Sequence, residues 1–268
     1  MDLSQITPLI LTFNEKENIG RTVGALSWAR EIVVVDSGSD DGTVEIAKSS
    51  HPKVRMVTRV FDNHTDQWNF GLDQARTLWV LSLDADYLTN DDFVREIEGL
   101  NPGDEVSGYS AEFRYCIGGS PLRVSVYPPR TVLFRRDRSR YKDDGHTQLL
   151  DVHGRVLSLR AKIDHDDRKP FGRWLNEQKR YAKIEARHLL ELRSAEGEGR
   201  SEEKLKPQDR LRLKIFFAAP AMFFYLLFGR GLILDGWRGC YYVVQRTIAE
   251  LLLSVRLLGE KLKLESGK

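Results

Sequence analysis

Trp79-Val80-Leu81-Ser82-Leu83-Asp84-Ala85-Asp86 is a short apolar run that ends in two carboxylates. Arg76-Thr77 precedes it and Tyr87-Leu88-Thr89-Asn90 follows, so the run reads as a buried strand of a parallel sheet. Side chains alternate along a strand, which sends Asp84 and Asp86 the same way where the chain leaves the sheet. In open α/β sheets ligands bind outside the carboxyl ends of the strands. Hard divalent cations take carboxylate and phosphate oxygens. The pair therefore reads as a site for a metal and a diphosphate. Taken alone it reads equally well as a strand running into a polar loop, where Asp is common.

Working outward, the preceding chain alternates strands and helices. Pro8-Leu9-Ile10-Leu11-Thr12-Phe13 is a strand, and a helix opens over 14–18 and runs to about residue 26, with Asn14 available as its cap. Glu31-Ile32-Val33-Val34-Val35-Asp36 is a second strand, and Ser37-Gly38-Ser39-Asp40-Asp41-Gly42-Thr43 turns into a helix over 44–48. Val54-Arg55-Met56-Val57-Thr58 is a third strand, a helix covers 66–75, and the opening run is the fourth strand. This alternation predicts an α/β fold with a parallel sheet and right-handed crossovers. Asn14-Glu15, Asp36 and Asp84 then end three strands at one crevice, the layout of a nucleotide site. Gly38 and Gly42 allow close backbone approach, and a carboxylate such as Asp36 accepts hydrogen bonds from a base or ribose. No GxGxxG or GxxxxGK[ST] run is present, which argues against a dinucleotide fold or a P-loop.

Thr12-Phe13-Asn14-Glu15, Val33-Val34-Val35-Asp36-Ser37-Gly38-Ser39-Asp40-Asp41-Gly42-Thr43 and Ser82-Leu83-Asp84-Ala85-Asp86, in that order, resemble the successive motifs of family 2 glycosyltransferases of the GT-A fold. The resemblance implies a mostly parallel central sheet flanked by helices. It also implies an inverting transferase that moves a hexose, glucose in the nearest pattern, from a UDP-sugar with the help of Mn²⁺ or Mg²⁺. Carried over residue by residue, Thr12, Asn14 and Glu15 line the nucleotide pocket, and Asp36 with Ser37 and Gly38 holds uracil or ribose. Asp84 with Ala85 meets ribose or metal-bound water, and Asp86 binds the metal.

On this reading residues 1–168 form the catalytic domain, with a donor half over 1–92 and an acceptor half over 93–168. Gly108-Tyr109-Ser110-Ala111-Glu112-Phe113-Arg114-Tyr115 alternates like one strand, and Gly118-Gly119-Ser120-Pro121 turns into another, Leu122-Arg123-Val124-Ser125-Val126-Tyr127. Arg130, Arg135, Arg136, Arg138, Arg140 and Lys142 then surround the short strand Val132-Leu133-Phe134. Such a run is either a solvated face or, through Arg135 and Arg136, a grip on a phosphorylated acceptor or the donor diphosphate. Tyr141-Lys142-Asp143-Asp144-Gly145-His146-Thr147-Gln148-Leu149-Leu150 is the second chemical cluster. Inverting transfer needs a base for the acceptor hydroxyl, and Asp144 is the first choice. The segment resembles a Tyr-x-x-x-x-His-Glu pattern of one branch of the family, but Thr147 stands where Glu is expected, so Asp143 and His146 stay candidates for the base. His146 has metal or phosphate contact as a further role, and a polar turn capped by Gly145 is the plain alternative. Ile163-Asp164-His165-Asp166-Asp167-Arg168 reads as an acid-rich loop before a helix, with His165 as a phosphate contact.

Residues 169–268 read as a helical region: a helix from Phe171 to about 192, a polar linker over 194–209, and a final helix over 242–262 with an apolar face. The apolar stretch 215–228 contains Pro220 and falls short of the roughly 20 residues of a spanning helix. With Lys204, Lys206, Arg210, Arg212 and Lys214 before it and Arg230 after it, it reads as an interfacial element on an anionic leaflet. A buried helix or dimer contact is the alternative. Phe228-Gly229-Arg230-Gly231-Leu232-Ile233-Leu234-Asp235-Gly236-Trp237-Arg238-Gly239 resembles a C-terminal pattern of lipopolysaccharide core glucosyltransferases, which implies a lipid-linked saccharide acceptor such as the lipopolysaccharide inner core.

Composition sets the outer bounds. A formal net charge of +2 and a pI near 8.4 are too mild to predict nucleic-acid binding. Cys116 and Cys240 have neither disulfide-framework nor zinc spacing. Met1-Asp2-Leu3-Ser4-Gln5 lacks the basic and apolar regions of a signal peptide. The expectation is a cytoplasmic enzyme bound peripherally to the inner face of the membrane through 204–262. The competing readings are a polyprenyl-phosphate glycosyltransferase, a nucleotidyltransferase and a non-catalytic glycan-binding scaffold.

Overall fold

The computed structural model describes residues 1–124, 126–143, 148–197 and 205–266. It divides into two compact units, Met1–Pro121 with Ser125–Lys169, and Leu122–Val124 with Pro170–Lys268.

The first unit begins β1 (Ile6–Thr12), α1 (Ile19–Gly24), β2 (Ile32–Asp36), α2 (Thr43–Ser50), β3 (Val54–Thr58), α3 (His64–Gln74) and β4 (Trp79–Asp84). It continues with β5 (Tyr87–Leu88), α4 (Asp91–Gly99), β6 (Val106–Ala111), β7 (Phe113–Ile117), β8 (Ser120–Pro121) and β9 (Arg130–Arg135). The strands β10 (Ser139–Asp143), β11 (Gln148–Val152), β12 (Arg155–Ser158) and β13 (Ile163–His165) complete it. Seven strands form the main sheet in the order β12-β6-β9-β4-β1-β2-β3. The first four in sequence run parallel, and β9 enters antiparallel to both β4 and β6. The result is a mixed sheet whose parallel part is flanked by helices, the arrangement that the GT-A resemblance implies.

The sequence explains why the parallel part is central. Along β2, Ile32 and Val34 enter one apolar cluster with Ile19, Val23 and Phe93, while Val33 and Val35 enter the other with Trp68 and Leu72. A strand apolar at every position buries both faces under helices, each such side chain contributing roughly 1.5–3 kcal/mol. Asn63 and Asn90 cap α3 and α4 by accepting from the amides of Asp66 and Phe93. At Gly71 a Cβ would lie 2.8 Å from Leu9 Cδ1, so α3 approaches β1 closely because that side chain is absent.

Four local expectations change. The first helix begins at Ile19 rather than near Asn14, because Asn14 adopts a left-handed φ of 56° and turns the chain instead of capping. The stretch 108–115 divides between β6 and β7, which pair in different sheets. Ser120–Pro121 is strand directly after the Gly118-Gly119 turn, and of the strand expected over 122–127 the described residues, 122–124 and 126–127, are not strand, Ser125 lying outside the described residues. Residues 163–165 are strand rather than loop, held between β5 and β7.

The second unit contains α5 (Phe171–Gly197), α6 (Pro207–Arg212), α7 (Ala218–Phe224) and α8 (Gly236–Ser266). Helix α5 extends into the expected linker over 194–209 and α6 begins within it, with Pro207 at its first position; residues 198–204 of that stretch lie outside the described residues. Ala182, Ala186 and Leu189 of α5 pack with Leu253 and Leu257 of α8. Arg212 joins Glu185 at 3.0 Å and Glu250 at 2.7 Å. No single helix among the described residues is long and apolar enough to cross a membrane.

Candidate active site

The strand register brings three polar termini together. Thr12 lies beside Asp36 in the β1–β2 pair, and Leu11 beside Asp84 in the β1–β4 pair. The loops leaving β1 and β2 are then sewn to each other. The Asn14 amide donates to Ser39 Oγ at 2.8 Å, the Asp40 amide to Asn14 Oδ1 at 2.9 Å, and the Glu15 amide to Thr43 Oγ1 at 2.7 Å. Asp36 is buried, and its carboxylate accepts from the amides of Gly38 and Ser39 and from the Ser39 hydroxyl. Three of its roughly four acceptor positions hold its own turn in shape, which leaves one for a ligand. Gly38 has φ 93°, the conformation this turn demands of a residue without a side chain. Ser37 Oγ accepts from Gln67 Nε2 at 3.0 Å. Thr12 Oγ1 is buried with no hydrogen-bond partner among the described residues, and a buried polar atom of that kind marks a place completed by something else.

Asp84 and Asp86 differ in surroundings although two residues separate them. Burial raises the Asp84 carboxyl, with the neighbouring Asp86 charge adding to the effect and Arg130 opposing it. Burial works the same way on Asp86, but His165 and Lys169 outweigh it and bring that carboxyl down to about 2. His165 Nε2 lies 3.3 Å from Asp86 Oδ2. It is delivered there by the short β5–β13 pairing, in which His165 sits opposite Tyr87 and the Asp166 amide donates to the Asp86 carbonyl. The rings of Tyr87, Tyr115 and Tyr127 stand edge-on around the imidazole at 5.1, 4.9 and 4.9 Å. Its Nδ1 has no partner among the described residues. Burial lowers the imidazole and the Asp86 carboxylate raises it, the net direction being upward. Ala85 is held by its carbonyl, which accepts from the Thr22 hydroxyl at 2.6 Å.

Lys169 joins this group from beyond the acid-rich stretch. Its side chain is 8% exposed, and Nζ lies 2.8 Å from Glu15 Oε1, 3.5 Å from Asp167 Oδ2 and 3.9 Å from Asp86 Oδ2. Burial lowers its affinity for a proton, but Asp86 and Glu15 raise it further, so the ammonium stays charged. Asn18 donates to both Glu15 and Asp167, and Arg21 binds Asp166 at 2.6 Å. Burial pushes the Glu15 carboxyl up to about 6 from 4.5 in spite of Lys169. A carboxyl raised on folding contributes stability that is fully present below its unfolded value and is lost as the pH climbs through the folded one. Wild-type stability relative to Glu15→Gln should therefore fall by about 2 kcal/mol as the pH crosses that window. Urea denaturation at several pH values reads this; a pH-independent difference removes Glu15 as the titrating group.

The structure thus gathers Thr12, Asn14, Glu15, Asp36, Ser37, Gly38, Asp84, Ala85, Asp86 and His165 around the ends of β1, β2 and β4. Arg135 and Arg136 do not join them. Arg135 pairs opposite Trp79 at the start of β4 and binds Asp137, while Arg136 donates to the Ala75 carbonyl, so both lie at the far end of the sheet from Asp84. Asp143 ends β10 exposed to solvent, and Asp144 and His146 lie outside the described residues. The sequence reading missed Lys169 and passed over Arg130. Arg130 opens β9 and lies over the Tyr127 ring, with its CZ atom 6.0 Å from the centroid. It was visible only as one of six bases in a run, and Lys169 only as one lysine before a helix.

The ends of β1, β2 and β4 thus bring acidic groups to one crevice, with His165 and Lys169 buried against them. Residues 9–166, more than half of the chain, match the family model "Glycosyl transferase family 2", and the chain belongs to that family. It is 32% identical over 143 residues to the lipopolysaccharide core biosynthesis glycosyltransferase LpsC of Rhizobium meliloti, an alignment covering 51% of this chain and 53% of that one. It is 32% identical over 97 residues to an uncharacterized glycosyltransferase of Rickettsia typhi, covering 36% and 32%. The chain thus spans about half, or about a third, of these relatives. The solved structure of S. aureus TarS 1–349 with UDP-GlcNAc aligns over 84% of this chain and 73% of that one, at 15% identity and a TM-score of 0.47.

Proposed function

We propose that this glycosyltransferase moves a hexose, glucose by the pattern of its C-terminal region, from a UDP-sugar with inversion to a lipid-linked saccharide. The acceptor of choice is a lipopolysaccharide inner core presented at the cytoplasmic face of the membrane. The observation that carries the reading is the convergence of Asp36, Asp84 and Asp86 on one crevice where His165, Lys169 and Arg130 supply cationic character. The lipopolysaccharide part rests on the likeness to the Rhizobium protein.

The residues fit a divalent cation of a particular kind. Among the described residues no three His, Cys, Asp or Glu side chains converge to cage an ion. Asp86 and His165 nonetheless stand side by side, one carboxylate oxygen and one imidazole nitrogen. Mg²⁺ and Mn²⁺ sites of nucleotide enzymes take one or two protein ligands and complete the shell with phosphate and water. Through its carboxylate Asp86 would hold such an ion, which when bound supplies positive charge against the departing diphosphate.

The chain's own residues do the rest. Lys169 and Arg130 place fixed positive charge where the diphosphate departs. The free acceptor position of Asp36 and the unpartnered Thr12 hydroxyl orient the nucleoside. Asp84, whose carboxyl burial and Asp86 push upward, meets ribose or metal-bound water. Asp144 is the proposed base for the acceptor hydroxyl, with Asp143 and His146 behind it. Residues 1–169 would thus carry catalysis, one residue beyond the expected boundary because Lys169 belongs to the site, and 170–268 membrane attachment.

Calorimetric titration of UDP, GDP, CMP and dTDP with and without Mn²⁺ tests the donor half. UDP is expected to bind most tightly and only with the metal. Tighter binding of another nucleotide changes the donor, and pyrophosphate release would replace the transferase by a nucleotidyltransferase. Product analysis with a polyprenyl phosphate and with a lipid-linked core saccharide separates the two acceptor classes.

A further inference from the structure

We propose that the second unit docks on membranes through a preformed bend between α7 and α8, and that its partner is an anionic phospholipid leaflet. The proposal deepens the membrane attachment put forward above and rests on it.

Phe217, Phe224, Phe228, Leu234 and Trp237 are each more than half exposed, although they fall within one short stretch of sequence. Soluble surfaces rarely leave so many large apolar groups together without a partner. Tyr241 and Val244, also exposed, follow Trp237 at steps of four and three residues, so the strip continues along one side of α8. The path between the helices is built rather than loose. After α7 the chain makes a π turn over Tyr225–Gly229, and Gly231 and Gly236 adopt left-handed φ values of 71° and 62°. Gly239 packs against the Leu232 carbonyl so closely that no Cβ fits. The resulting bend between Ala218–Gly229 and Leu232–Lys263 is 70°.

The two limbs pass for a broken crossing by length and composition only when taken together, and neither does alone; the 70° bend and the short first limb point to one leaflet. Twelve helical residues from Ala218 to Gly229 reach about 18 Å, well short of the roughly 30 Å hydrocarbon core. Residues 205–246 contain seven Lys and Arg against two Asp, and of the seven Arg212 is taken up by Glu185 and Glu250. Both Asp are already paired, Asp209 with Arg212 at 3.6 Å and Asp235 with Arg123 at 3.1 Å. Lys206, Lys214 and Arg230 are exposed, so the sequence that flanks and interrupts the apolar residues offers exposed positive charge, which suits anionic headgroups. A second copy of the chain would set this positive charge against its like. Trp237 carries the Arg238 guanidinium over its ring at 4.9 Å, a pair suited to the headgroup boundary.

Trp237 is also the reporter. Trp68, Trp79 and Trp174 are buried and Trp28 is half-buried. The full chain is mixed with vesicles of phosphatidylglycerol and phosphatidylethanolamine whose acyl chains are brominated. Tryptophan emission should be quenched, the quenching should vanish in Trp237→Phe, and binding should weaken by roughly tenfold or more in Phe224→Ser/Phe228→Ser. Uncharged phosphatidylcholine vesicles should bind far less. Binding without quenching, equal binding to uncharged vesicles, or a dimer in which Trp237 is shielded without lipid would each overturn the proposal. The same samples are titrated with UDP and Mn²⁺. Normal nucleotide binding with no vesicle binding defeats the docking surface and spares the donor assignment; quenching without nucleotide binding does the reverse.

Discussion

The Asp86→Asn variant is expected to lose roughly 10²- to 10³-fold in sugar transfer and to bind UDP with Mn²⁺ no better than without it. The reason is local. Asp86 is the carboxylate that the fold keeps ionised in a buried place, by setting His165 and Lys169 against it. An amide of the same shape keeps the packing and removes the charge. Fold loss is checked by the thermal unfolding midpoint, since His165 and Lys169 would keep their places, Lys169 through Glu15. Turnover near the wild-type rate in a folded Asp86→Asn variant would end the metal assignment. The corresponding change at Asp84 should be milder, because burial already favours its neutral form.

Lys169→Met should destabilise the protein by about 3–5 kcal/mol, the range for stripping one partner from a buried ion pair. Its ammonium faces Glu15, Asp167 and Asp86 with the side chain 8% exposed, so solvent screens little of the loss. Without it, Glu15, Asp167 and Asp86 lose the one ammonium they share, while Asn18 and His165 stay beside them. The effect should show as a lower urea midpoint at unchanged m-value, and adding Glu15→Gln should recover part of it by removing one of the stranded charges. A Lys169→Met variant as stable as wild type would mean that the ammonium is dispensable to the fold.

Much of the parallel sheet was legible in the sequence, for a physical reason. Runs such as Ile32-Val33-Val34-Val35 have one stable use, a strand buried on both faces, and the residue that ends each run marks the crevice. The site's second layer was not legible. Asp36 looks like a ligand holder in sequence, yet most of its acceptor capacity holds the turn that follows it. Asn14 looks like a helix cap and is a left-handed corner. His165 and Lys169 sit far down the chain, and only the pairing of β13 with β5 brings them to Asp86. Arg135 and Arg136 look like a phosphate grip because they are adjacent and basic, but the direction of β9 carries them to the wrong end of the sheet. Periodicity reports which face a residue takes; it is silent on long-range pairing of short strands.

That pairing bears on the order in which the protein is made. The acidic groups of the crevice, Glu15, Asp36, Asp84 and Asp86, are synthesised within the first 86 residues, but the counter-charges to Glu15 and Asp86 arrive only with His165 and Lys169. A nascent chain that has completed β4 thus carries a dense, uncompensated acidic pocket, and a prematurely terminated product keeps it. Residues 1–92 are accordingly no self-sufficient nucleotide module: the ribosome must add some eighty residues beyond Asp86 before the pocket becomes electrically whole.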